Sequence, residues 1–146
     1  MQQFIQTAHF STLEILALTL YGEARGEIKR FGLAPLYAIC HVIQNRLKHA
    51  QRYGETIRAV CLKPYQFSCW NVSDPNRVHL LNPITLTQAV YKKCEEVAFN
   101  CLHHAMGADF TQGSNHYYSQ YIKPPAWAAE GVFTGAVGTH NFYRLT

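Results

Sequence analysis

The spacing of apolar and polar positions divides the chain into a helical front and an aromatic, glycine-punctuated back. Leu13, Leu16 and Leu20 recur at helical spacing. Ser11 stands just before them and Glu14 three positions further on, a capping-box arrangement in which each residue can satisfy a backbone N–H of the other. The first helix is therefore predicted to be capped by Ser11 and to stop at Gly22 or Gly26. A second helix is predicted over about residues 33–48, with Pro35 near its start and Leu36, Ile39, Ile43 and Leu47 as its buried stripe. A short helical turn is predicted over 56–61. Residues 63–82, with Pro64 and Pro75, read as a long connection running up to Pro83, and a loop of that length is usually functional or mobile. A third helix is predicted over about 85–106, with Leu86, Val90, Val97 and Cys101 on one face and Gly107 as its stop. The segments 115–119 and 141–144 are aromatic-rich and bounded by glycines, which predicts short strands. Helices first and a small sheet afterwards give a mainly α, α+β fold with a small antiparallel sheet in its C-terminal part.

Composition narrows the class. A chain of 146 residues fits one domain, 1–146. With 48% hydrophobic and 15% charged residues it is globular in composition. The net charge of +4 favours adsorption to a polyanion without choosing one. Lys and Arg form no basic run and do not alternate with aromatics, so no nucleic-acid partner is expected. The apolar stretch Leu13 to Leu20 is interrupted by Glu14 and Thr19 and is too short to span a bilayer, so no integral membrane segment is expected. Met1 to Gln6 has no charged region leading into an apolar core. Synthesis in the cytoplasm without a signal peptide is expected, and a monomer is expected.

Cysteine and histidine usage excludes some chemistry. The five cysteines are odd in number and irregular in spacing, which predicts free, packed thiols. Among the eight histidines none has HExxH spacing, and the cysteines form no CxxC. His103 and His104 are adjacent on a predicted helix and share no ligand face. No metal and no cofactor are expected. A cysteine-nucleophile amidase would need a thiol beside a histidine, yet Cys40, Cys94 and Cys101 fall in predicted helix interiors.

Glu23 carries the most information. It follows Leu20 by three positions and Leu16 by seven, so a persisting helix puts it on the leucine face. Desolvation there, and the negative end of the helix dipole, would both raise its pKa. A glutamate kept protonated near neutral pH is what a glycosidase needs to protonate a leaving oxygen. Periodicity alone leaves the other reading open and favours it: a glutamate on a frayed helix end, pointing to water.

The segment Leu20-Tyr21-Gly22-Glu23-Ala24-Arg25-Gly26-Glu27 resembles the opening motif of the SleB/CwlJ-type cell wall hydrolases. His41-Val42-Ile43-Gln44-Asn45-Arg46, Tyr53-Gly54 with Thr56-Ile57 and Val60, and Pro64-Tyr65-Gln66-Phe67-Ser68-Cys69-Trp70 resemble its central blocks. Asn115-His116-Tyr117-Tyr118, Pro125-Ala126-Trp127 and Gly138-Thr139-His140-Asn141-Phe142-Tyr143 resemble its closing ones. The blocks appear in order over most of residues 18–144. The resemblance implies a lysozyme-like fold and cleavage between N-acetylmuramic acid and N-acetylglucosamine in peptidoglycan glycan strands. Several such enzymes are lytic transglycosylases. It places the catalytic acid/base on Glu23 and leaves Glu27 open: a nearby supporting charge, a partner for Arg25 or Lys29, or solvated. The enzyme would reach the wall after release, by phage lysis, spore deposition or a similar route.

A sugar cleft needs flat apolar faces and hydrogen-bonding rims. Gln66, Phe67, Ser68 and Trp70 offer both on one loop, and Tyr117, Tyr118 and His140 add to them; core packing or sheet pairing is the competing role for each. Asn45 and Arg46 are expected to serve packing or a structural hydrogen bond. Asp109 would support a hydrolytic, lysozyme-like route if it faced Glu23, but an aspartate among turn residues more often caps the turn. A module that binds peptidoglycan without cutting it would carry the same motifs, though the retained Glu23 speaks against it.

Overall fold

The computed structural model describes residues 6–146; the opening residues on which the export-signal expectation rests lie almost wholly outside the described residues. The capping box forms as expected. Ser11 Oγ accepts from the Glu14 N–H at 3.1 Å, and Glu14 Oε1 accepts from the Ser11 N–H at 2.9 Å. The helix they open, α1 (Thr12–Ala24), is buried without a break from Ile15 to Tyr21. A helix that is apolar all round belongs inside a core, so the one-sided leucine stripe read from the sequence is only part of its buried surface.

Neither Gly22 nor Gly26 ends this run. The helix stops at Ala24, where φ is −143°; a 3₁₀ turn (Arg25–Glu27) and α2 (Ile28–Phe31) follow, and Gly32 closes α2 at φ 68°, the left-handed conformation a glycine adopts freely. Gly22 has a different purpose. A Cβ there would lie 2.6 Å from Cys69 Cβ, so the missing side chain lets α1 and residue 69 approach.

Helix α3 (Ala34–Leu47) has Pro35 in its first turn, as expected. It buries Leu36, Ile39 and Ile43 in the main core. Its Ala38 and Val42 meet Phe142 of the sheet in a second cluster. Short helices α4 (Ala50–Tyr53) and α5 (Ile57–Leu62) follow, the latter capped by Thr56, whose hydroxyl accepts from the Ala59 N–H at 3.0 Å. The segment 63–82 is not the irregular connection expected. It holds a 3₁₀ turn (Ser68–Trp70) and α6 (Arg77–Leu80), and it drives Phe67 and Trp70 into the core.

After a 3₁₀ turn (Pro83–Thr85), α7 (Gln88–Leu102) packs along α1. It ends well before Gly107. His104, at φ 55°, takes the left-handed position; the Ala105 N–H reaches the Asn100 carbonyl at 2.8 Å and the His104 N–H the Cys101 carbonyl at 3.3 Å. That is a Schellman closure made with histidine instead of glycine. All five cysteines are buried and free, as the spacing predicted.

Strands β1 (His116–Ser119), β2 (Val132–Val137) and β3 (His140–Arg144) form an antiparallel sheet in the order β1-β3-β2. The sequence pattern predicted β1 and β3 but not β2. A small sheet needs a hydrophobic face or a helix to pack against, and this one docks Phe142, 2% exposed, against α3. Burying one such ring contributes roughly 1.5–3 kcal/mol. The result is a mainly helical α+β fold with a small antiparallel sheet. No helix among the described residues is long and apolar enough to cross a membrane.

The close approach at Gly22 sets a test. Gly→Ala inside a helix normally stabilises by about 0.8–1 kcal/mol. Gly22→Ala should do the opposite and lower the melting temperature, because the added methyl strikes Cys69. Gly26→Ala, with nothing within 4 Å, should be neutral or stabilising. Thermal melts of the two variants side by side read the sign directly.

Candidate functional site

Glu23 lies in the last turn of α1, where the sheet passes over the helical half. Tyr117 of β1 donates its hydroxyl to Glu23 Oε1 at 2.7 Å. The Cys69 thiol and the Cys69 N–H also hydrogen-bond to the carboxyl group. Burial raises the Glu23 pKa above the usual carboxylate range, and Asp74 adds a smaller push upward. The three donors pull the other way without cancelling burial. The raised pKa expected for Glu23 therefore stands on desolvation. The helix end expected to act in the same direction is also present, since α1 stops at Ala24, one residue on, where φ is −143°. Glu23 does not point freely to water.

Its hydrogen-bonding neighbours are themselves held neutral. Burial and the adjacent Glu23 push the Tyr117 phenol well up, so it is a donor throughout the neutral range. The same two influences raise the Cys69 thiol. A thiol in that state is a poor nucleophile, so the one cysteine beside the site does not act as an amidase nucleophile would.

A cleft of about 410 Å³ opens over this carboxyl group. Gln66 and Ser68 line one wall, and Tyr117, Tyr118 and His140 line the other, which brings together five of the residues singled out for substrate contact. Phe67 and Trp70 are not among them. Both are 1% exposed, and Trp70 Nε1 donates to Thr19 Oγ1 at 2.8 Å. The 3₁₀ turn rotates them inward, so they anchor the loop and touch no solvent. A larger cavity, about 480 Å³, lies between residues 48–53 and the 145–146 end, away from Glu23 and without an acidic side chain in its lining. The smaller one is the cleft that holds Glu23.

Arg46 was expected to be structural, and its Nε does donate to the Asn115 carbonyl at 2.8 Å. It also reaches the floor of the cleft. It is 5% exposed, stacked over Phe67 and Tyr53, and its Nη1 has no hydrogen-bond partner among the described residues. Burial lowers its pKa, while Tyr117, Tyr53, Cys61 and Glu23 raise it; a guanidinium nevertheless keeps its charge. A fixed cation therefore stands near Glu23. The sequence signal was the single Lys, Arg, Asp or Glu within Ala34–Leu47. Trp127, which lines the far wall against Tyr118 and Tyr143, was not singled out either.

Glu27 is neither solvated nor paired with Arg25 or Lys29. Its Oε1 accepts from the Thr139 N–H and the Thr139 hydroxyl, both at 2.7 Å, and lies 3.2 Å from His140 Nδ1. It clamps the β2–β3 turn, and a Cβ at Gly138 would come within 2.7 Å of it. Burial lowers the His140 pKa, and Glu27 only partly offsets this. His140 is therefore neutral near pH 7, with its proton drawn to the nitrogen facing Glu27. Its ring packs edge-on against Tyr117 at 5.1 Å, so Glu27 supports the wall that holds Tyr117 over Glu23.

Asp109 does not face Glu23. It accepts from Asn45 Nδ2, from the Thr111 N–H and hydroxyl, and from the Gly113 N–H. Burial pushes its pKa up, but these donors outweigh burial and hold it low. It closes a turn, as aspartates in such positions do. Asn45 also donates to the Ser114 carbonyl at 2.8 Å, the structural role expected of it. Among the described residues no group of three or more His, Cys, Asp or Glu side chains is placed to hold a metal ion.

No curated protein matches the chain. Two solved structures share its fold. The catalytic domain of the germination-specific lytic transglycosylase SleB from Bacillus anthracis is 20% identical, with a TM-score of 0.64 over 93% of this chain and 98% of that one. The catalytic domain of the Bacillus cereus SleB protein is 22% identical, with a TM-score of 0.64 over 91% of this chain and 89% of that one. The family model described as cell wall hydrolase matches residues 34–143, a span that begins after Gly22 and Glu23 and takes in the other residues lining the cleft. Covering about three quarters of the sequence, that match shows that the chain belongs to the cell wall hydrolase family.

Proposed function

We propose that this cell wall hydrolase, a peptidoglycan-cleaving enzyme, cuts the glycan strand between N-acetylmuramic acid and N-acetylglucosamine as a lytic transglycosylase, with Glu23 as acid and then base. The observation that carries this reading is the lone carboxyl group of the cleft. Glu23 is the one acidic side chain lining it, and burial favours its protonated form. The B. anthracis SleB domain that shares the fold is itself described as a lytic transglycosylase.

The proposed steps follow from the surroundings of Glu23. Protonated Glu23 gives its proton to the glycosidic oxygen as the C1–O bond breaks. The carboxylate left behind is received by donors already in place, Tyr117 and Cys69, and by the nearby Arg46 cation. It then takes the proton of the substrate's C6 hydroxyl as that oxygen attacks C1, which closes a 1,6-anhydro ring and restores the acid. A group that must act in both directions needs neither form too strongly favoured. Burial and the three donors, pulling oppositely, supply that balance. Gln66, Ser68 and Tyr118 provide hydrogen-bonding groups for the sugar rims, and His140 presents a neutral ring.

A hydrolytic, muramidase-like reading has one observation in its favour: Asp74 is close enough to raise the Glu23 pKa. Asp74 does not line the cleft, however, and its Oδ1 accepts from the Asn76 N–H at 2.8 Å in a local turn.

Mass spectrometry of digested peptidoglycan decides between the routes. Anhydro-muropeptides are expected; reducing ends that vanish in Asp74→Asn would establish hydrolysis instead. Glu23→Gln should lower the rate by about 10²–10⁴-fold. Full activity in that variant would remove Glu23 from the mechanism, and uncut strands with wild-type protein would leave a binding module. Because Glu23 must be protonated to act first, activity should fall as pH rises through its elevated pKa.

The same group ties stability to pH. The folded state binds the Glu23 proton more tightly than the unfolded chain, whose carboxylate titrates near 4.5. Stability is therefore lost as pH rises from that value through the folded pKa. Glu23→Gln removes the loss. Melting temperatures of the two proteins should be similar at pH 4, and the variant should melt a few degrees higher at pH 8.

A further inference from the structure

Residues Lys63-Pro64-Tyr65-Gln66 form a tight turn in which the Gln66 N–H donates to the Lys63 carbonyl at 3.1 Å. Pro64 holds the first central position. Tyr65 holds the second at φ 65°, where a turn of this shape calls for glycine. A side chain there strains the backbone. Strain of this kind usually persists where it serves a function.

Nothing inside the protein accounts for keeping Tyr65. It is 86% exposed, and among the described residues its ring and hydroxyl meet no hydrogen-bond, ring or cation partner. Two positions on, Phe67 is 1% exposed, as is Trp70. The loop is thus nailed to the core by two large rings while a third is held outward on a stiff, proline-led turn. That third ring stands at the rim of the cleft that contains Glu23, on the Gln66–Ser68 wall and across from Tyr118, Ile122 and Trp127.

We propose that Tyr65 is a stacking platform for a pyranose ring of the glycan strand, and that it sets how tightly the cleft holds an N-acetylhexosamine polymer. The proposal rests on the reading of the cleft as a glycan-strand site. A flat aromatic face complements the C–H face of a sugar. The turn holds the backbone that carries the ring at the cleft rim before substrate arrives, so only the ring's own rotamers are ordered on binding. Tyr65 takes no part in proton transfer; its contribution is to affinity.

The test compares Tyr65→Gly, Tyr65→Ala and Tyr65→Trp in two backgrounds. In the Glu23→Gln background, co-sedimentation with insoluble peptidoglycan reads binding. With Glu23 intact, the rate is followed against substrate concentration. Tyr65→Gly should raise the melting temperature by about 2–4 °C, since glycine relieves the turn, and weaken binding by roughly 3–10-fold, the loss of one aromatic contact. Tyr65→Ala should lose the same affinity with no gain in melting temperature, because it keeps a Cβ at φ 65°. Tyr65→Trp should keep the affinity, and the losses in Tyr65→Gly and Tyr65→Ala should appear in the substrate concentration that gives half-maximal rate. Wild-type binding by Tyr65→Gly, or a lower melting temperature in it, would overturn the platform. If the parent cuts strands and Tyr65→Gly binds as well as the parent does, only the platform fails. If the parent neither binds nor cuts them, the glycan-strand reading of the cleft fails and the platform falls with it.

Discussion

The 2.7 Å hydrogen bond from Tyr117 to Glu23 joins the two halves of the molecule, and much of the architecture keeps its ends in place. One end is a carboxyl group in the last turn of a helix buried on every side. The other is a phenol on the first strand of a small sheet docked against α3. A carboxyl group in such surroundings is costly unless it is protonated or well hydrogen-bonded. Here both remedies are partly present. Burial favours the proton, and three donors favour the charge. Burial prevails, so the pKa is raised, while the donors that would receive the charged form are already in place.

Helix α3 holds the sheet end of that bond. Asn45 and Arg46 sit next to each other near its C-terminus and bond to the Ser114 and Asn115 carbonyls, just ahead of β1. They fix where β1 begins, and hence where Tyr117 arrives two residues later. On another face of the helix, Ala38 and Val42 seat Phe142 of β3, which pairs with Tyr117 across the sheet. Glu27 fastens the far side through Thr139 and His140. The polar groups buried around the cleft are thus mostly ties between elements distant in sequence. Among the described residues Arg46 keeps an unused donor, Nη1, and its charge lies close enough to interact with the carboxyl group.

The sequence showed where helices begin more clearly than where they end. Starts are marked by local side chains: Ser11 with Glu14, Pro35, and Thr56. Ends were assigned to glycines, and each assignment missed. Gly22 is a packing gap, and a histidine at φ 55° closes α7 in place of Gly107. A glycine permits several things and the sequence does not say which. Strand β2 was hidden for a related reason: a bulge between Phe133 and Gly135 breaks its alternation, and both Val132 and Phe133 are exposed. Within the candidate site, family resemblance pointed to Glu23 and side-chain chemistry pointed to Gln66, Ser68, Tyr117, Tyr118 and His140, and the fold brings all six to one cleft. Phe67 and Trp70 were misread because their inward turn depends on a 3₁₀ step that no spacing announced. The partners of Glu27 lie 112 residues away, beyond any local pattern.

The misreading of Phe67 and Trp70 says something about how the cleft is made. A loop rich in aromatics beside an acid suggests that all of them face substrate. In the structure they divide the work by depth. Trp70 binds Thr19 of α1, Phe67 lies beneath Arg46, and Cys69 closes on Gly22. Each buried contact locks the loop to the helix that carries Glu23, or to the cation beside it. The groups left outside, Gln66 and Ser68 among them, inherit that rigidity without having to pack. Precision at the rim therefore comes from the core. A substitution at Trp70 or Gly22, neither of which supplies a catalytic atom, would act on Glu23 through the position of Cys69.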